Sequence, residues 1–375
     1  MSLERILSAT ALALALSLSG CGSGSGSGST GSGSGGTGGG TGINVYMAGD
    51  TTSASGIYTI ATYWKNGTAT NLSAVTSYAD ANAITIDSSG NVYVAGDTYN
   101  APTQQNLATY WKNGTATSLT DGTTSAYAFA IAVDSSGNVY VAGETFDAAT
   151  LNPVATYWKN GAATNLTDGT SFAVAGAITI DSSGNVYVAG NTTNVSANGT
   201  SPNTATYWKN GTATNLTDGT TFGGASGIAV DSSGNVYVAG YTASATTGNT
   251  IATYWKNGVA TTLTDGSTNA GASAITVDGG GNVYVAGYTT NANAPVSDTI
   301  ATYWKNGAAI NLTDGTSYGI ASVIAVDSSG NVYVAGDTIN ASNYTIATSW
   351  KNGIATNLTD GTGDAYVSGI ALSNN

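Results

Sequence analysis

The chain repeats one unit seven times, and this repeat restricts its fold more than any other feature of the sequence. Copies of "ATYWKNG" or a close variant occur seven times, as does "NVYVAG" or "NVYMAG", and the tryptophans are 46 to 50 residues apart. The tryptophans are Trp64, Trp111, Trp158, Trp208, Trp255, Trp304 and Trp350. A period of 40 to 50 residues with many short β-rich segments predicts four-stranded units placed around a central axis.

Turn residues divide each unit into four strands. In one copy "GIAVD" leads through "SSGN" to "VYVAG", and a longer loop leads to "ATYWK", Asn-Gly and "ATTL". Asn-Gly suits a two-residue type I′ hairpin, in which both central residues have positive φ. Asp before Ser-Ser-Gly suits a type I turn whose carboxylate accepts backbone N–H groups. The two short hairpins should therefore lie on one face of each unit.

The two ends of the repeat region complement each other. The region begins with a second strand, Asn44 to Gly49, and ends with a first strand, Gly369 to Leu372. An open array would leave both strand edges bare, whereas pairing of these strands completes a composite unit. The sequence thus predicts an all-β fold, a seven-bladed β-propeller closed by pairing of the C-terminal strand with the N-terminal blade.

The segment "IAVDSSGNVYVAG" resembles the first two strands of NHL-type repeats and of the bacterial propeller repeats called SBBP. The similarity extends through residues 43–375. It implies a propeller and, commonly, partner binding or scaffolding, and it carries over no catalytic motif. The "YWKNG…LTDG" half of the unit departs from the NHL pattern.

The N-terminus has the pattern of an export signal. Arg5 precedes an apolar run from Ile6 to Leu18, which is short for a transmembrane helix. Leu18-Ser19-Gly20-Cys21 resembles the bacterial lipobox, which implies a signal peptide at 1–20 and a lipid on Cys21. Residues 21–42 form a Gly/Ser/Thr tether, and 43–375 form the propeller. Gly22 favours outer-membrane sorting in the cell envelope, and an ordinary secretory signal is the alternative.

The copies differ in length in one loop only. From each tryptophan to the next "VAG" glycine there are 32 residues, whereas from that glycine to the next tryptophan there are 14 to 18. The crossover into the next unit keeps its length and varies in content. Both variable segments should open on the face opposite the short hairpins. That face is either a binding face or one that drifts for lack of constraint.

Charge also separates the two faces. The formal net charge is -13, and Arg5 is the only arginine, so we expect no nucleic-acid partner. Seven lysines and six turn aspartates lie by the short hairpins, and the other acids fall on the variable face. Such a field attracts cations or basic protein surfaces, although solubility alone also explains it.

The residue after "VAG" differs around the predicted ring. It is acidic in four adjoining blades, tyrosine in two, and asparagine in one; in chain order the residues are Asp50, Asp97, Glu144, Asn191, Tyr241, Tyr288 and Asp337. Tyrosines beside carboxylates suit sugar stacking with hydrogen bonds, or a ligand bridged by Ca²⁺. These seven residues are the predicted ligand-binding site, and ordinary strand-end residues are the alternative.

The residue inventory disfavours catalysis. The chain has no His, no thiol beyond Cys21 and no arginine after Arg5, so common acid–base and nucleophilic groups are missing. We therefore predict a monomeric binding propeller without catalytic residues, metal or cofactor, a weak Ca²⁺ site aside. Its partner would be a glycan or a protein, and its alternative role is a periplasmic scaffold lipoprotein. A glycosidase or lyase acting through paired carboxylates is a weaker alternative.

Overall fold

A computed structural model describes residues 42–193, 202–290 and 299–374, and these residues form strands and turns. The strands are β1 (Ile43–Thr52), β2 (Thr59–Lys65), β3 (Thr68–Asn71), β4 (Ala79–Ile86), β5 (Val92–Asn100), β6 (Gln105–Lys112), β7 (Thr115–Ser118), β8 (Ala126–Val133), β9 (Val139–Phe146), β10 (Pro153–Lys159), β11 (Ala162–Asn165), β12 (Ala173–Ile180), β13 (Val186–Thr193), β14 (Asn203–Lys209), β15 (Thr212–Asn215), β16 (Gly223–Val230), β17 (Val236–Ala243), β18 (Thr250–Lys256), β19 (Val259–Thr262), β20 (Ala270–Val277), β21 (Val283–Thr290), β22 (Thr299–Lys305), β23 (Ala308–Asn311), β24 (Gly319–Val326), β25 (Val332–Ile339), β26 (Thr345–Lys351), β27 (Ile354–Asn357) and β28 (Ala365–Asn374).

These strands form seven antiparallel sheets of four strands, which are the blades of a propeller. Blade 1 is composite, in the order β28, β1, β2, β3, and blades 2 to 7 take the following strands four at a time from β4. Each innermost strand contacts the innermost strands of both neighbouring blades, so the ring is closed. The predicted fold class and its closure by the C-terminal strand are confirmed. Among the described residues, no helix could span a membrane.

The core lies between blades rather than inside them. Each tryptophan is 1% exposed and packs against the preceding blade. Trp158 of blade 3, for example, shares a buried cluster with Tyr93 and Ala95 of blade 2. One such cluster fills each interface between blades. Burial of the indole side chains therefore stabilises the closed propeller and not the separate blade. The "YWK" tryptophan is therefore a packing residue.

The Asp-Ser-Ser-Gly turn forms as the sequence predicts. In blade 2, Asp87 Oδ1 accepts the backbone N–H groups of Ser89 and Asn91, at 3.0 and 2.8 Å. Its Oδ2 accepts the Asn91 side-chain amide at 2.7 Å and the Tyr93 hydroxyl at 3.1 Å. These bonds, the one to the Asn91 side chain first, lower the pKa of Asp87. Gly90 has φ +80°, as this turn requires.

The Asn-Gly hairpin lies against that turn. Asn113 has φ +50°, and its amide nitrogen donates to Asn91 Oδ1 at 2.8 Å. Lys112 Nζ lies 5.1 Å from the centre of the Tyr93 ring, and the same lysine–tyrosine contact recurs in all seven blades. We call the surface formed by these two hairpins the hairpin face, and the opposite surface, with the variable loops and crossovers, the loop face.

Strands extend further toward the loop face than the sequence pattern indicates. The inner strand β16 begins at Gly223, inside the segment expected to be a crossover, and β5 continues to Asn100, well past its "VAG" glycine. A β-bulge in each inner strand accommodates the added length, as at Ala81/Ala83 in β4. Residues expected at strand ends therefore lie within the sheets.

Candidate functional site

The seven residues predicted to bind ligand occupy one equivalent position in the second strand of every blade. Each pairs with a residue of the inner strand of its own blade, as Asp97 pairs with Asp80. Asp97, Glu144, Asn191 and Tyr241 are buried, whereas Asp50, Tyr288 and Asp337 are partly exposed. The position is thus a ring inside the sheets near the inner strands, and not a set of loop residues.

Three members of this ring join neighbouring blades through their side chains. An Oδ1 atom accepts a backbone N–H from the bulge of the next inner strand: Asp50 from Ala81 at 2.8 Å, Asn191 from Ala225 at 2.9 Å, and Asp337 from Val367 at 3.0 Å. A buried N–H without a hydrogen-bond partner would lower the free energy of unfolding by about 1–3 kcal/mol, so these contacts stabilise the closed propeller. A short side chain ending in an oxygen acceptor serves this purpose, which explains the choice of Asp or Asn.

The two tyrosines of the ring fill space that glycines leave open. A Cβ on Gly224 would collide with the Tyr241 ring, and one on Gly271 would lie 2.8 Å from the ring of Tyr288. Each tyrosine is the cross-strand partner of its glycine. In the other five blades the inner-strand partner carries a side chain; these partners are Asp80, Tyr127, Val174, Ile320 and Tyr366. The predicted aromatic sector thus has a packing role.

Burial alters the ionisation of ring residues. Desolvation raises the pKa of Glu144 to about 8 and that of Asp337 to about 7, although Asp337 keeps part of its surface exposed. It likewise raises the pKa of Tyr241 to about 12, and the Tyr241 hydroxyl has no hydrogen-bond partner. Asn82 Nδ2 lies 3.4 Å from Asp97 Oδ1. Glu144 is therefore largely protonated at neutral pH, and Asp337 is partly so. A ligand-binding role for the ring remains a prediction.

The exposed negative charge of the loop face lies in the crossovers. Six crossovers contain Thr-Asp-Gly, and their aspartates are Asp121, Asp168, Asp218, Asp265, Asp314 and Asp360, all exposed. Each accepts the backbone N–H and the hydroxyl of a Thr or Ser two residues later, which lowers its pKa and keeps it charged. The field predicted for this face therefore comes from its rim more than from the buried ring.

A candidate site that the sequence reasoning missed lies around the seventh crossover, which joins blade 1 to blade 2. Between blades 1 and 2 the rings of Tyr58 and Tyr78 meet edge to face at 5.1 Å, and those of Tyr78 and Tyr99 at 6.2 Å. Tyr78 is 43% exposed and Tyr99 is 39% exposed. Ile57 and Val75 add exposed apolar surface nearby in the chain. We call these five residues the tyrosine patch.

Backbone contacts hold the tyrosine patch in place. Tyr99 N–H donates to the Tyr78 carbonyl at 3.0 Å, which ties the two tyrosines across one blade. Tyr58 N–H donates to Ser53 Oγ at 3.0 Å, and its carbonyl accepts the Ser53 N–H at 2.8 Å. The rings are therefore mounted on ordered backbone. One feature of the sequence could have indicated this patch: the segment "SAVTSY" stands where other copies have "TDGTSY" or a similar segment.

Metal ligands do not gather on the described part of the chain. No three acidic, His or Cys side chains lie together there in a way that could hold a metal ion. The four acidic ring positions belong to four different blades, and the side chains of Asp50 and Asp337 each accept a backbone N–H of the next blade. The structure thus offers no observation in favour of the weak Ca²⁺ site expected from sequence.

Comparison with protein families identifies the repeat. Three stretches, residues 74–102, 119–145 and 225–246, match the family described as SBBP, a beta-propeller repeat. This confirms the predicted resemblance to SBBP repeats. The predicted signal peptide and lipid-bearing Cys21 lie outside the described residues. A search of curated proteins found no match.

Solved structures share the fold at low identity. The β-propeller domain of the trilobed protease from Pyrococcus furiosus is 10% identical with a TM-score of 0.52, over 86% of this chain and 94% of that one. A puromycin-hydrolysing peptidase of Mycobacterium tuberculosis is 11% identical with a TM-score of 0.51, over 80% and 48%. Tricorn protease is 7% identical with a TM-score of 0.50, over 88% and 35%. This chain thus spans about a third of tricorn protease and about half of the peptidase.

These neighbours contradict the prediction that the chain is not an enzyme. All three are proteases or peptidases, or domains of them, so the fold is one that enzymes use. At 7 to 11% identity the likeness shows the fold alone, and enzymatic activity is only suggested. The scarcity of reactive side chains does not by itself exclude catalysis, because a propeller can be one part of a longer enzyme.

The packing of Tyr241 over Gly224 can be tested by transplanting the pair from blade 4, Val174 with Asn191. Gly224→Val alone should destabilise, because its methyl groups meet the Tyr241 ring, and Tyr241→Asn alone should leave a void. The double variant should lose less unfolding free energy than the two single variants lose in sum, by about 0.5–3 kcal/mol. Denaturant unfolding measures this difference. Additive effects would show that the two positions do not share this volume.

The raised pKa of Glu144 predicts a dependence of stability on pH. Its pKa in the folded state, about 8, lies above the ordinary 4.5, so the folded state holds this proton more tightly than the unfolded state does. The stabilisation that Glu144 gives the folded state by binding this proton is complete below about pH 4.5, and it is lost as the pH rises to about 8. Glu144→Gln should therefore reduce the fall in melting temperature between pH 5 and 8.

The matched control is Asp147→Asn. Asp147 is partly exposed, and hydrogen bonds from Thr150 and Ala149 lower its pKa, so it is charged in both states throughout that range. This variant should keep the wild-type slope of melting temperature against pH. A wild-type slope in Glu144→Gln would mean that Glu144 ionises normally in the fold.

Proposed function

We propose that this propeller of SBBP-type repeats is a ligand-binding protein of the bacterial cell envelope that uses its loop face. The observation that carries this proposal is the difference between the two faces. On the hairpin face, each lysine lies over a tyrosine in the same way in all seven blades. On the loop face, six crossovers share an exposed aspartate and the seventh lacks it, and the exposed tyrosines and phenylalanines differ from blade to blade.

Exposed aromatic groups on a rigid scaffold support binding at this face. The tyrosine patch presents three rings, and Phe172 and Phe222 are 38% and 48% exposed on the crossovers into blades 4 and 5. Large apolar groups exposed together on an otherwise polar surface are typical of interaction sites. The loops that carry them are held by seven packed blades, and binding residues commonly lie on loops mounted on such a scaffold.

Binding at the loop face can be tested with four probes: laminarin, polygalacturonate, polylysine and Ca²⁺. At least one probe should raise the melting temperature of the full-length chain, by mass action on the folded state. The shift should fall when Tyr78 is replaced by Ala or when the six crossover aspartates are replaced by Asn. The hairpin-face variant Lys112→Gln with Lys159→Gln should respond like wild type.

Two results would contradict this function: no probe shifts the transition, or the shift depends on the hairpin-face lysines and not on the loop face. Analysis of the polysaccharides after incubation reports shortened chains if the protein also cleaves them. Binding and turnover are thus measured on the same samples.

Attachment to the membrane is the second part of the proposal. The lipobox-like segment ending at Cys21 and the Gly/Ser/Thr tether at 22–42 support it. A lipid on Cys21 with a flexible tether would hold the propeller near a membrane and leave it free to turn toward its ligand.

The Cys21→Ala variant should move from the membrane fraction to the soluble envelope fraction, because the thiol that accepts the lipid is gone. Fractionation of expressing cells and labelling with an alkyne fatty acid measure this. The matched control is Ser23→Ala, which changes a tether residue two positions after the cysteine and should stay in the membrane fraction. Equal fractionation of Cys21→Ala and wild type would contradict lipid anchoring.

A further inference from the structure

The tyrosine patch lies in the one sector of the loop-face rim whose crossover has no aspartate. The crossover from blade 1 to blade 2 has Ser73, Ala74 and Val75 where the other six have Thr, Asp and Gly. Ala74 takes the place of the aspartate, and Val75, which takes the place of the glycine, is 54% exposed. Six sectors of the rim thus carry a crossover aspartate, whereas the seventh carries tyrosines, and Asp80, two residues after Tyr78 in β4, is partly exposed.

We infer that the tyrosine patch binds an uncharged glycan by stacking its rings on pyranose units. This inference rests on the proposed function and specifies its ligand. A pyranose presents C–H groups on its flat sides and hydroxyls around its rim. A tyrosine presents an apolar face and one hydroxyl, and pockets that combine aromatic walls with few polar groups suit such ligands.

The arrangement of the rings suits an extended ligand. Tyr78 stands between Tyr58 and Tyr99 at interplanar angles of 61° and 85°, so the three rings face different directions. They come from two blades, since Tyr58 precedes β2, whereas Tyr78 and Tyr99 belong to blade 2. The fixed backbone around them lowers the entropy lost on binding. Five side chains are few for a stable protein interface, which takes roughly 20–30 residues per partner.

Charge makes the patch selective for neutral sugars. All seven lysines of the described residues lie over tyrosines on the hairpin face, so the described loop face offers no cation to a carboxylate or sulfate. The charged crossover aspartates repel anions. One of them, Asp121, lies in the crossover that follows β7. The carboxylates of uronic and sialic acids would be repelled by this negative rim and would find no cation to pair with. A neutral glycan is not repelled.

Affinity electrophoresis of the full-length chain in detergent tests the inference. Gels contain laminarin or galactomannan as neutral polymers, and polygalacturonate or alginate as anionic ones. A neutral polymer should retard the wild type, and Tyr78→Ala should weaken this retardation at least fivefold in apparent dissociation constant. Tyr78→Phe, which keeps the ring, should retain most of the binding. The matched control is Tyr344→Ala, since Tyr344 is 39% exposed, close to the 43% of Tyr78, but lies in the variable loop of blade 7.

The outcomes separate this inference from the proposed function. Retardation by an anionic polymer that exceeds retardation by the neutral ones overturns the inference, and so does retardation by neither class. Polylysine binding that depends on the crossover aspartates, without neutral-glycan binding, overturns the inference and leaves the proposed function standing. Self-association that Tyr78→Ala abolishes, measured by ultracentrifugation without glycan, would assign the patch to a second copy of this chain and also overturn it.

Discussion

The pairing of β28 with β1 is the constraint on which the rest of the structure depends. The two strands place both ends of the described propeller in one blade, with Val45 opposite Leu372 and Met47 opposite Ile370. Without it, β1 would have an open edge and two blades would lose a neighbour, because the hydrophobic clusters lie between blades. In a ring of this kind each blade is stabilised by both neighbours, so closure supports every interface at once.

Close approach of the inner strands follows from closure. A Cβ on Gly369 would lie 2.9 Å from the Cα of Ala83, and one on Gly227 would lie 3.0 Å from the Cα of Ala274. At this distance the N–H group exposed by each bulge meets the neighbouring blade, where Asp50, Asn191 or Asp337 can accept it. Asp50, Asn191 and Asp337 at the ring position are therefore explained first by the bonds they make to the next blade. The two tyrosines at that position are explained by the glycines opposite them.

The two faces differ because their backbones are fixed by different means. On the hairpin face, Asp-Ser-Ser-Gly and Asn-Gly turns demand particular residues at particular φ values, which leaves little room for variation. On the loop face the connections need only span a distance, so their side chains can differ between blades. Six crossovers are alike in carrying a hydrogen-bonded aspartate, and the seventh carries the tyrosine patch. Proteases and peptidases also contain this fold, so the fold by itself does not separate catalytic proteins from binding proteins.

The sequence by itself determined the number of blades, the two short hairpins and the closing strand pair. These features depend on local turn chemistry and on a repeated pattern, and both can be read along the chain. Only the tertiary structure decided that Asp50 and Asp337 are turned toward the next blade, since that depends on the bulge and on the length of each strand. It also decided the tyrosine patch, because Tyr58, Tyr78 and Tyr99 belong to three separate segments that meet only when neighbouring blades pack. Contacts between distant segments are set by packing, whereas turns are set by residues adjacent in sequence.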